Sequence, residues 1–157
     1  MTPPASLLPA AREIERGTIL VLTLDLRQRI RYCSPAMAQA TGFAPHELVR
    51  EPLQRLRHPD MPMRVMRELW EALEAGVAWV APFKLACKDG GHCWARASFA
   101  PVVDRHGGLS IVVVLTRPGA IHVRGAEALY AAMRNRTTAW LETLAAHRRE
   151  LPDVLRW

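Results

Sequence analysis

The stretch FKLACKDGGHCWARASF, residues 83–99, carries the pattern that decides the fold. Apolar and polar residues alternate on both sides of Asp89-Gly90-Gly91, which is typical of two half-buried strands joined by a turn. A turn centred on Gly90 sets Cys87 opposite Cys93 and also predicts the pairs Leu85–Ala95 and Phe83–Ala97. The apolar face is Phe83, Leu85, Cys87, Cys93, Ala95, Ala97 and Phe99, and the polar face is Lys84, Lys88, His92, Trp94, Arg96 and Ser98. A slip of one residue would mix the two faces, so alternation favours this arrangement.

The segments around this hairpin predict an α+β domain with an antiparallel sheet and short helices on one face. Five strands are expected, at residues 19–24, 29–33, 79–88, 92–103 and 109–116, and residues 11–16 are expected to form one or two helical turns. Ser34 is a predicted helix cap, and further short helices are expected at residues 45–48 and 53–56. Asp60 is predicted to cap the clearest helix, which carries an apolar stripe and ends at Gly76.

The segment after Pro118-Gly119 has a different pattern. Apolar residues recur at spacings of four and three, which predicts a helix to about residue 147 with a heptad-like seam. The seam is Ala126, Tyr130, Met133, Thr137, Trp140 and Leu144. The helix either packs on its own domain or forms a dimer or relay helix. The expected division is therefore an N-terminal segment 1–16, a domain 17–118 and a C-terminal helix with its tail 119–157.

Trp94 falls on the polar face of the hairpin, where a large aromatic side chain is unusual. Its position indicates a covered surface, with the N-terminal segment or a second subunit as the cover. Together with Tyr130, Met133 and Trp140 of the helical seam, Trp94 forms the candidate interface. A homodimer or a downstream signalling partner would then contact the outer face of the sheet and the C-terminal helix.

The composition excludes several classes of protein. The 157 residues carry a net charge of +6, but the basic residues are scattered among acidic ones, so no nucleic-acid partner is expected. Three cysteines without Cys-x-x-Cys spacing argue against zinc and disulfides and favour the cytoplasm. The longest apolar run, residues 111–115, is too short to span a membrane. Neither a catalytic Ser/His/Asp spacing nor a phosphate loop is present, which predicts a protein that is not an enzyme.

Several motifs resemble PAS domains of the aerotaxis-receptor subgroup. The stretch DLRQRIRYCSPAMAQATGFAPHELV, residues 25–49, is similar to the opening of a PAS domain. RHPDMP at 57–62, LWEALEAGVAW at 69–79 and KDGGHCWARASFAPV at 88–102 resemble that subgroup more specifically. RPGAIHVRGAEALYAAM, residues 117–133, is similar to its exit helix. The resemblance covers about residues 17–133 and implies the five-stranded PAS fold.

The resemblance also implies a cofactor, since PAS domains of that subgroup hold flavin adenine dinucleotide (FAD). Matched motif by motif, the cofactor-binding candidates are Arg57, His58, Asp60, Trp79, Ser34 and Leu85. Ser34 and Leu85 stand where the subgroup usually has asparagine, and an unpaired buried polar atom of a flavin costs ~1–3 kcal/mol. A haem, another apolar ligand, or a pocket filled by side chains therefore remain alternatives.

The functional hypothesis that follows is a sensory PAS module that responds to a pocket ligand or to redox state. Its signal would pass through residues 116–118 to the C-terminal helix, and only a ligand with different affinity for two states can produce that change. The alternative is a cofactor-free PAS module that works through protein interaction and dimerisation.

Overall fold

The computed structural model describes residues 11–146, with side chains described for residues 11–136. The strands are β1 (Ala11–Glu13), β2 (Leu20–Leu24), β3 (Ile30–Cys33), β4 (Trp79–Ala86), β5 (His92–Val103) and β6 (Leu109–Thr116). The helices are α1 (Met37–Thr41), α2 (Pro45–Leu48), a 3₁₀ turn (Leu53–Leu56), α3 (Met63–Glu74) and α4 (Ala120–Ala146). The predicted α+β class and PAS-type element order are confirmed.

The sheet has six strands rather than the predicted five. Five of them form the antiparallel order β4-β5-β6-β2-β3, and β1 adds to β5 in parallel. The helical turns predicted at residues 11–16 are therefore wrong. Because β6 pairs only with the part of β5 from Arg96 onward, the backbone of His92–Trp94 is open to β1. Pairing with a distant strand decides the conformation of this short segment.

The predicted faces of the hairpin are correct, but its register is shifted by two residues. Leu85 pairs with Cys93 instead of Ala95, and Phe83 pairs with Ala95. The turn explains the shift, because Gly90 takes a left-handed φ of +88° and Asp89 accepts the amide of Gly91 at 2.9 Å. This closes a short loop with glycine at its last position. Since side chains repeat every two residues, the faces survive the shift.

The inner face of the sheet is closed by apolar side chains. All seven residues predicted for this face are buried, and α3 adds Val65, Met66, Leu69 and Leu73 to the same core. Burying a side chain of this size contributes about 1.5–3 kcal/mol to folding. Glu68, Glu71 and Glu74 of the same helix are exposed.

The outer face is partly covered by α4. Ala126 and Tyr130 are buried, and Val123 and Met133 are half-buried against the core. The part of the predicted seam whose side chains are described, Ala126, Tyr130 and Met133, therefore packs on the chain's own sheet. Trp140 lies outside the part of the chain whose side chains are described. Within the described range, no helix is long and apolar enough to cross a membrane.

Candidate functional site

The segment Arg57-His58-Pro59-Asp60 lies along the free edge of β4. Arg57 forms an isolated antiparallel bridge with Leu85, and the amide of His58 donates to the carbonyl of Lys84 at 3.0 Å. His58 precedes a proline, which holds it in the extended conformation that such pairing needs. The segment before α3 thus behaves as a short extra strand at this edge.

Asp60 does not cap α3, so that prediction is wrong. Pro62 occupies the cap position, and α3 has no side-chain cap hydrogen bond among the described residues. The carboxylate of Asp60 instead accepts a hydrogen bond from Lys84 Nζ at 2.8 Å. This bond is the main reason that the pKa of Asp60 lies below its ordinary value. A charged partner on β4 competes successfully with the helix amides, because charge-assisted bonds are the stronger ones.

His58 accepts a hydrogen bond through its ring. Its Nδ1 accepts the amide of Asp60 at 3.0 Å, and a ring nitrogen that accepts carries no proton. Burial and the neighbouring Lys84 ammonium lower the pKa of His58. His92 lies edge-on to this ring with centroids 6.1 Å apart, and burial lowers the pKa of His92 as well.

The side chains of Arg57 and Trp79 make their contacts near opposite ends of β4. Arg57 is half-buried, and its Nη1 lies 3.9 Å from the Met63 sulfur. Trp79 is also half-buried, and its ring contacts that of Phe99 edge to face, with the ring centroids 5.7 Å apart. Trp79 therefore borders the core through an aromatic contact.

Ser34 and Leu85, the positions that depart from the subgroup's pattern, both make contacts within the protein. The hydroxyl of Ser34 accepts the amide of Val21 at 3.0 Å, and the cap of α1 is Ala36, so the predicted Ser34 cap is wrong. Leu85 is buried in the core. The structure brings Arg57, His58, Asp60 and Leu85 together along β4. It ties Ser34 to β2.

Three residues that the sequence reasoning did not assign complete this site. Lys84 holds Asp60, and its ammonium also lies 5.8 Å from the centroid of the Trp94 ring. Arg134 of α4 donates to the carbonyl of Asp60 at 2.5 Å. Pro82 offers its carbonyl to the hydroxyl of Tyr130 at 2.7 Å. Lys84 stands on the predicted polar face, which was the available signal, whereas the two α4 contacts depend on where that helix packs.

Trp94 is covered by its own chain. Its side chain is 8% exposed, and its ring lies 6.0 Å from that of Tyr130, which is 5% exposed. Burial raises the pKa of Tyr130 to about 12. The cover inferred from the outward position of Trp94 thus exists within the chain, where Tyr130 of α4 lies over the ring and Glu13 of β1 pairs with Trp94.

The residues present do not fit a flavin on the inner face. The side chains that face this interior from β4 and β5 are apolar, and Leu85 offers no polar atom to the edge of a flavin ring. Among the described side chains, the buried nitrogen without a partner is Trp94 Nε1, which lies on the outer face. A flat apolar ring would find aromatic walls at Phe83 and Phe99, but its polar edge would lose hydrogen bonds to water without replacement.

Together, the sheet, the core under short helices and the packed helix α4 define a domain of the α+β class. Residues 30–115 match the family model described as PAS fold. The chain belongs to the PAS fold family.

The relatives agree with this assignment. Over 117 residues, the chain is 33% identical to the aerotaxis receptor of Escherichia coli (strain K12). The matched region is 74% of this chain and 23% of the receptor. The chain thus spans about a quarter of that relative's length. Of the solved structures, a light-oxygen-voltage domain studied with a flavin analogue has a TM-score of 0.61 at 19% identity. The match covers 76% of this chain and 90% of that one.

Two further structures are similar in fold. The dark structure of the Aureochrome1 light-oxygen-voltage domain has a TM-score of 0.57 at 17% identity, covering 76% of this chain and 85% of its own. A PAS domain from Colwellia psychrerythraea has the same TM-score at 16% identity. The match covers 64% of this chain and 86% of that domain. At these identities the structural likeness shows the fold alone.

Proposed function

We propose that this chain is a non-enzymatic sensory module that passes the state of its interior to the exit helix α4, as part of a redox-sensing or aerotaxis-like signalling protein. The observation that carries the proposal is the double attachment of residues 57–60. Arg57 pairs with Leu85, whose side chain is in the core, while the carbonyl of Asp60 accepts from Arg134 of α4. A displacement of residues 57–60 would therefore disturb the pairing with Leu85 and the bond to Arg134 of α4.

The contacts of β4 support the same route. Lys84 holds the carboxylate of Asp60, and the carbonyl of Pro82 holds the hydroxyl of Tyr130. A ligand that pushes β4 from the inner face would therefore disturb the Tyr130 contact of α4 directly, and would disturb its Arg134 contact through Asp60. Such a ligand shifts the position of α4 only if it binds the two states with different affinity.

Hydrogen exchange tests the route. Arg134→Gln should speed the exchange of α4 amides while β5 amides remain protected, because the core does not depend on this bond. Arg136→Gln, an exposed neighbour on the same helix, is the matched control. Equal exchange of α4 in both variants would contradict the proposed attachment.

FAD is the cofactor that the aerotaxis-receptor resemblance supports, with Arg57, His58, Asp60 and Trp79 as its candidate contacts, although Ser34 and Leu85 oppose it. Visible absorption of the purified protein, before and after incubation with FAD, tests this. A flavin spectrum that Arg57→Gln abolishes would support the flavin form. A colourless protein that FAD does not reconstitute would exclude it, and the same spectrum would reveal a haem.

A second candidate is a cofactor-free module that dimerises through α4. Ile121 and Leu129, two apolar residues of this helix, are exposed by 75% and 53%. Because Trp94 and Tyr130 are already covered within the chain, this candidate uses the exposed side of α4 as its contact surface. Light scattering should then detect a dimer that Leu129→Glu dissociates, and a wild-type monomer at high concentration would count against this candidate.

The cytoplasm remains the proposed location. Cys33, Cys87 and Cys93 are free and buried, and burial raises the pKa of Cys93 to about 12. Free cysteines of this kind are common in reducing compartments.

A further inference from the structure

The backbone of Asp60 is held from two directions. Its amide donates to Nδ1 of His58 at 3.0 Å, and its carbonyl accepts from Arg134 of α4 at 2.5 Å. The first bond closes a turn within residues 58–60, and the second fastens the exit helix to that turn. The attachment of α4 therefore depends on the turn that His58 closes.

The bond at His58 exists in only one protonation state of the ring. While Nδ1 accepts the amide of Asp60, it carries no proton. A histidinium ring has a proton on both nitrogens and accepts at neither. A proton added at Nδ1 would point at the amide hydrogen of Asp60 and would leave that amide without its acceptor. Protonation of His58 thus opens the turn.

The carboxylate of Asp60 is the nearest acceptor for the new proton. Its Oδ2 lies 3.8 Å from Nδ1 of His58, which is too far for a hydrogen bond, and it accepts from Lys84 Nζ at 2.8 Å. To bond the protonated ring, Asp60 has to move toward His58 and away from Lys84. Because the carbonyl of Asp60 also holds Arg134, this movement disturbs the attachment of α4.

The charges around His58 oppose its protonation while α4 is docked. Burial is the largest cause that lowers the pKa of His58, and Lys84 of β4 is the next. Asp60 raises this pKa, whereas His92 of β5 and Arg134 of α4 lower it further. Release of α4 removes the Arg134 charge from the ring, so the released state binds a proton more readily than the docked state. Acid therefore favours release.

His92 does not act in the same direction. Its ring lies edge-on to that of His58 with centroids 6.1 Å apart, and burial and Lys84 lower its pKa as well. Glu127 of α4, however, raises the pKa of His92. A charge on His92 would thus be attracted to the docked helix, and the acid-sensitive group that loosens α4 is His58.

We propose that protonation of His58 releases α4, so that mild acid is a second input to the exit helix. The side chain of His58 is 20% exposed, so a proton from solvent can reach it. This release needs the attachment of residues 57–60 to α4 and in that respect rests on the proposed function, but it needs no ligand in the interior. Docking is complete above pH 6.5, the ordinary pKa of histidine, and is lost as the pH falls below it.

Hydrogen exchange of the full chain at pH 7 and at pH 5 tests this release. Each rate is converted to a protection factor, which removes the intrinsic effect of pH on exchange. Asp60 stays ionised in this range, since its pKa lies below 3.8. The protection of α4 amides should fall about threefold to tenfold more than that of β5 amides, the size expected for the loss of one hydrogen bond.

Variants identify the group that takes up the proton. His58→Gln keeps a side-chain oxygen that can accept the Asp60 amide but has no proton to gain, so α4 should lose most of its dependence on pH. His122→Gln, which changes an exposed histidine of α4 itself, should preserve it and is the matched control.

A second measurement does not require the His58 variant to fold. The pKa of His58, followed through its ring resonances, should rise in Arg134→Gln relative to the exposed neighbour Arg136→Gln. The coupling between the proton and the docked helix is reciprocal, so a change at α4 must appear at His58.

Three results would overturn the proposed acid release. The first is an equal fall in the protection of α4 and β5, which would mean that acid weakens the whole domain. The second is a pH dependence that persists in His58→Gln, or that disappears in His122→Gln or His92→Gln instead. The third is a His58 pKa that Arg134→Gln does not raise. Failure of the attachment itself is distinguished at pH 7, where α4 would exchange equally in Arg134→Gln and Arg136→Gln.

Discussion

The two faces of the β4–β5 hairpin are both covered, but by different means. The inner face is closed by apolar residues of the sheet and α3, and its packing depends on shape and area. The outer face is covered by α4 through a few directional contacts, such as the bond from Tyr130 to Pro82 and the bond from Arg134 to Asp60. Cores of the first kind open only with global unfolding, whereas covers of the second kind can open locally.

This difference assigns the two faces different roles. The inner face provides most of the stability, and the outer face provides a helix that can be released without unfolding the domain. Changes to the inner face should therefore alter global stability most strongly. Changes to the outer face should alter the docking of α4 more than the stability of the sheet.

The largest effect is expected from Phe99→Ala on the inner face. Phe99 is fully buried and contacts the rings of Trp79 and Phe83. Its truncation should lower the free energy of unfolding by about 3–5 kcal/mol, as measured by urea denaturation. Val103→Ala, at a position on the same strand that is 67% exposed, should change it by less than about 0.5 kcal/mol. A similar loss in both variants would contradict the packing described for this face.

A smaller effect is expected from Tyr130→Phe on the outer face. The change removes the hydroxyl that donates to the carbonyl of Pro82 and keeps the ring over Trp94. The expected cost is about 1 kcal/mol, with faster hydrogen exchange in α4 and unchanged exchange in β5. Tyr32→Phe, at a site that is 50% exposed, is the control. If exchange in β5 rose as much as in α4, the two faces would not open separately.

The smallest effect is expected from acid. The pKa values of His58 and His92 are lowered in the folded state, by burial first and by Lys84 next. The unfolded chain therefore binds more protons as the pH falls below 6.5, the ordinary value for histidine, and the free energy of unfolding decreases. Asp60, whose pKa is also lowered, adds a second loss below pH 3.8. Glu127 and Arg134 of α4 act on the same pair of histidines.

Denaturation at pH 7 and at pH 5 measures this loss. His58→Gln should reduce the difference between the two values, because the glutamine has no proton to gain. His106→Gln, at an exposed position of the β5–β6 turn, should preserve it. A pH dependence that is the same in wild type and His58→Gln would show that His58 does not contribute.

Local pattern predicted the faces and most of the elements. The strands at residues 92–103 and 109–116 and the short helices at 45–48 and 53–56 are found with the predicted bounds. Alternation decides a face but not a register, so the two-residue shift depended on how Asp89 and Gly90 close the turn. A segment of three residues such as β1 has too few positions for a period, and only pairing with β5 identifies it.

The candidate site was predictable to a smaller extent. Local rules predict that Asp60 caps the helix that follows it, but its partner, Lys84, is distant in sequence. The outward position of Trp94 correctly indicated a covered surface, although its cover, Tyr130, could be found only once α4 was placed. The assignment of Ser34 and Leu85 to a cofactor rested on family resemblance, and the contacts of these two residues are with the protein itself.

The attachments along β4 also bear on solubility. β4 is an edge strand, and the open edge of a sheet can recruit strands from other molecules. Here the carbonyl of Lys84 accepts from the amide of His58, and that of Pro82 accepts from the hydroxyl of Tyr130. Pro82 also has no amide hydrogen to donate. The segment that holds α4 in place thus also shields the sheet from edge-to-edge aggregation. Release of α4 would remove part of that shield.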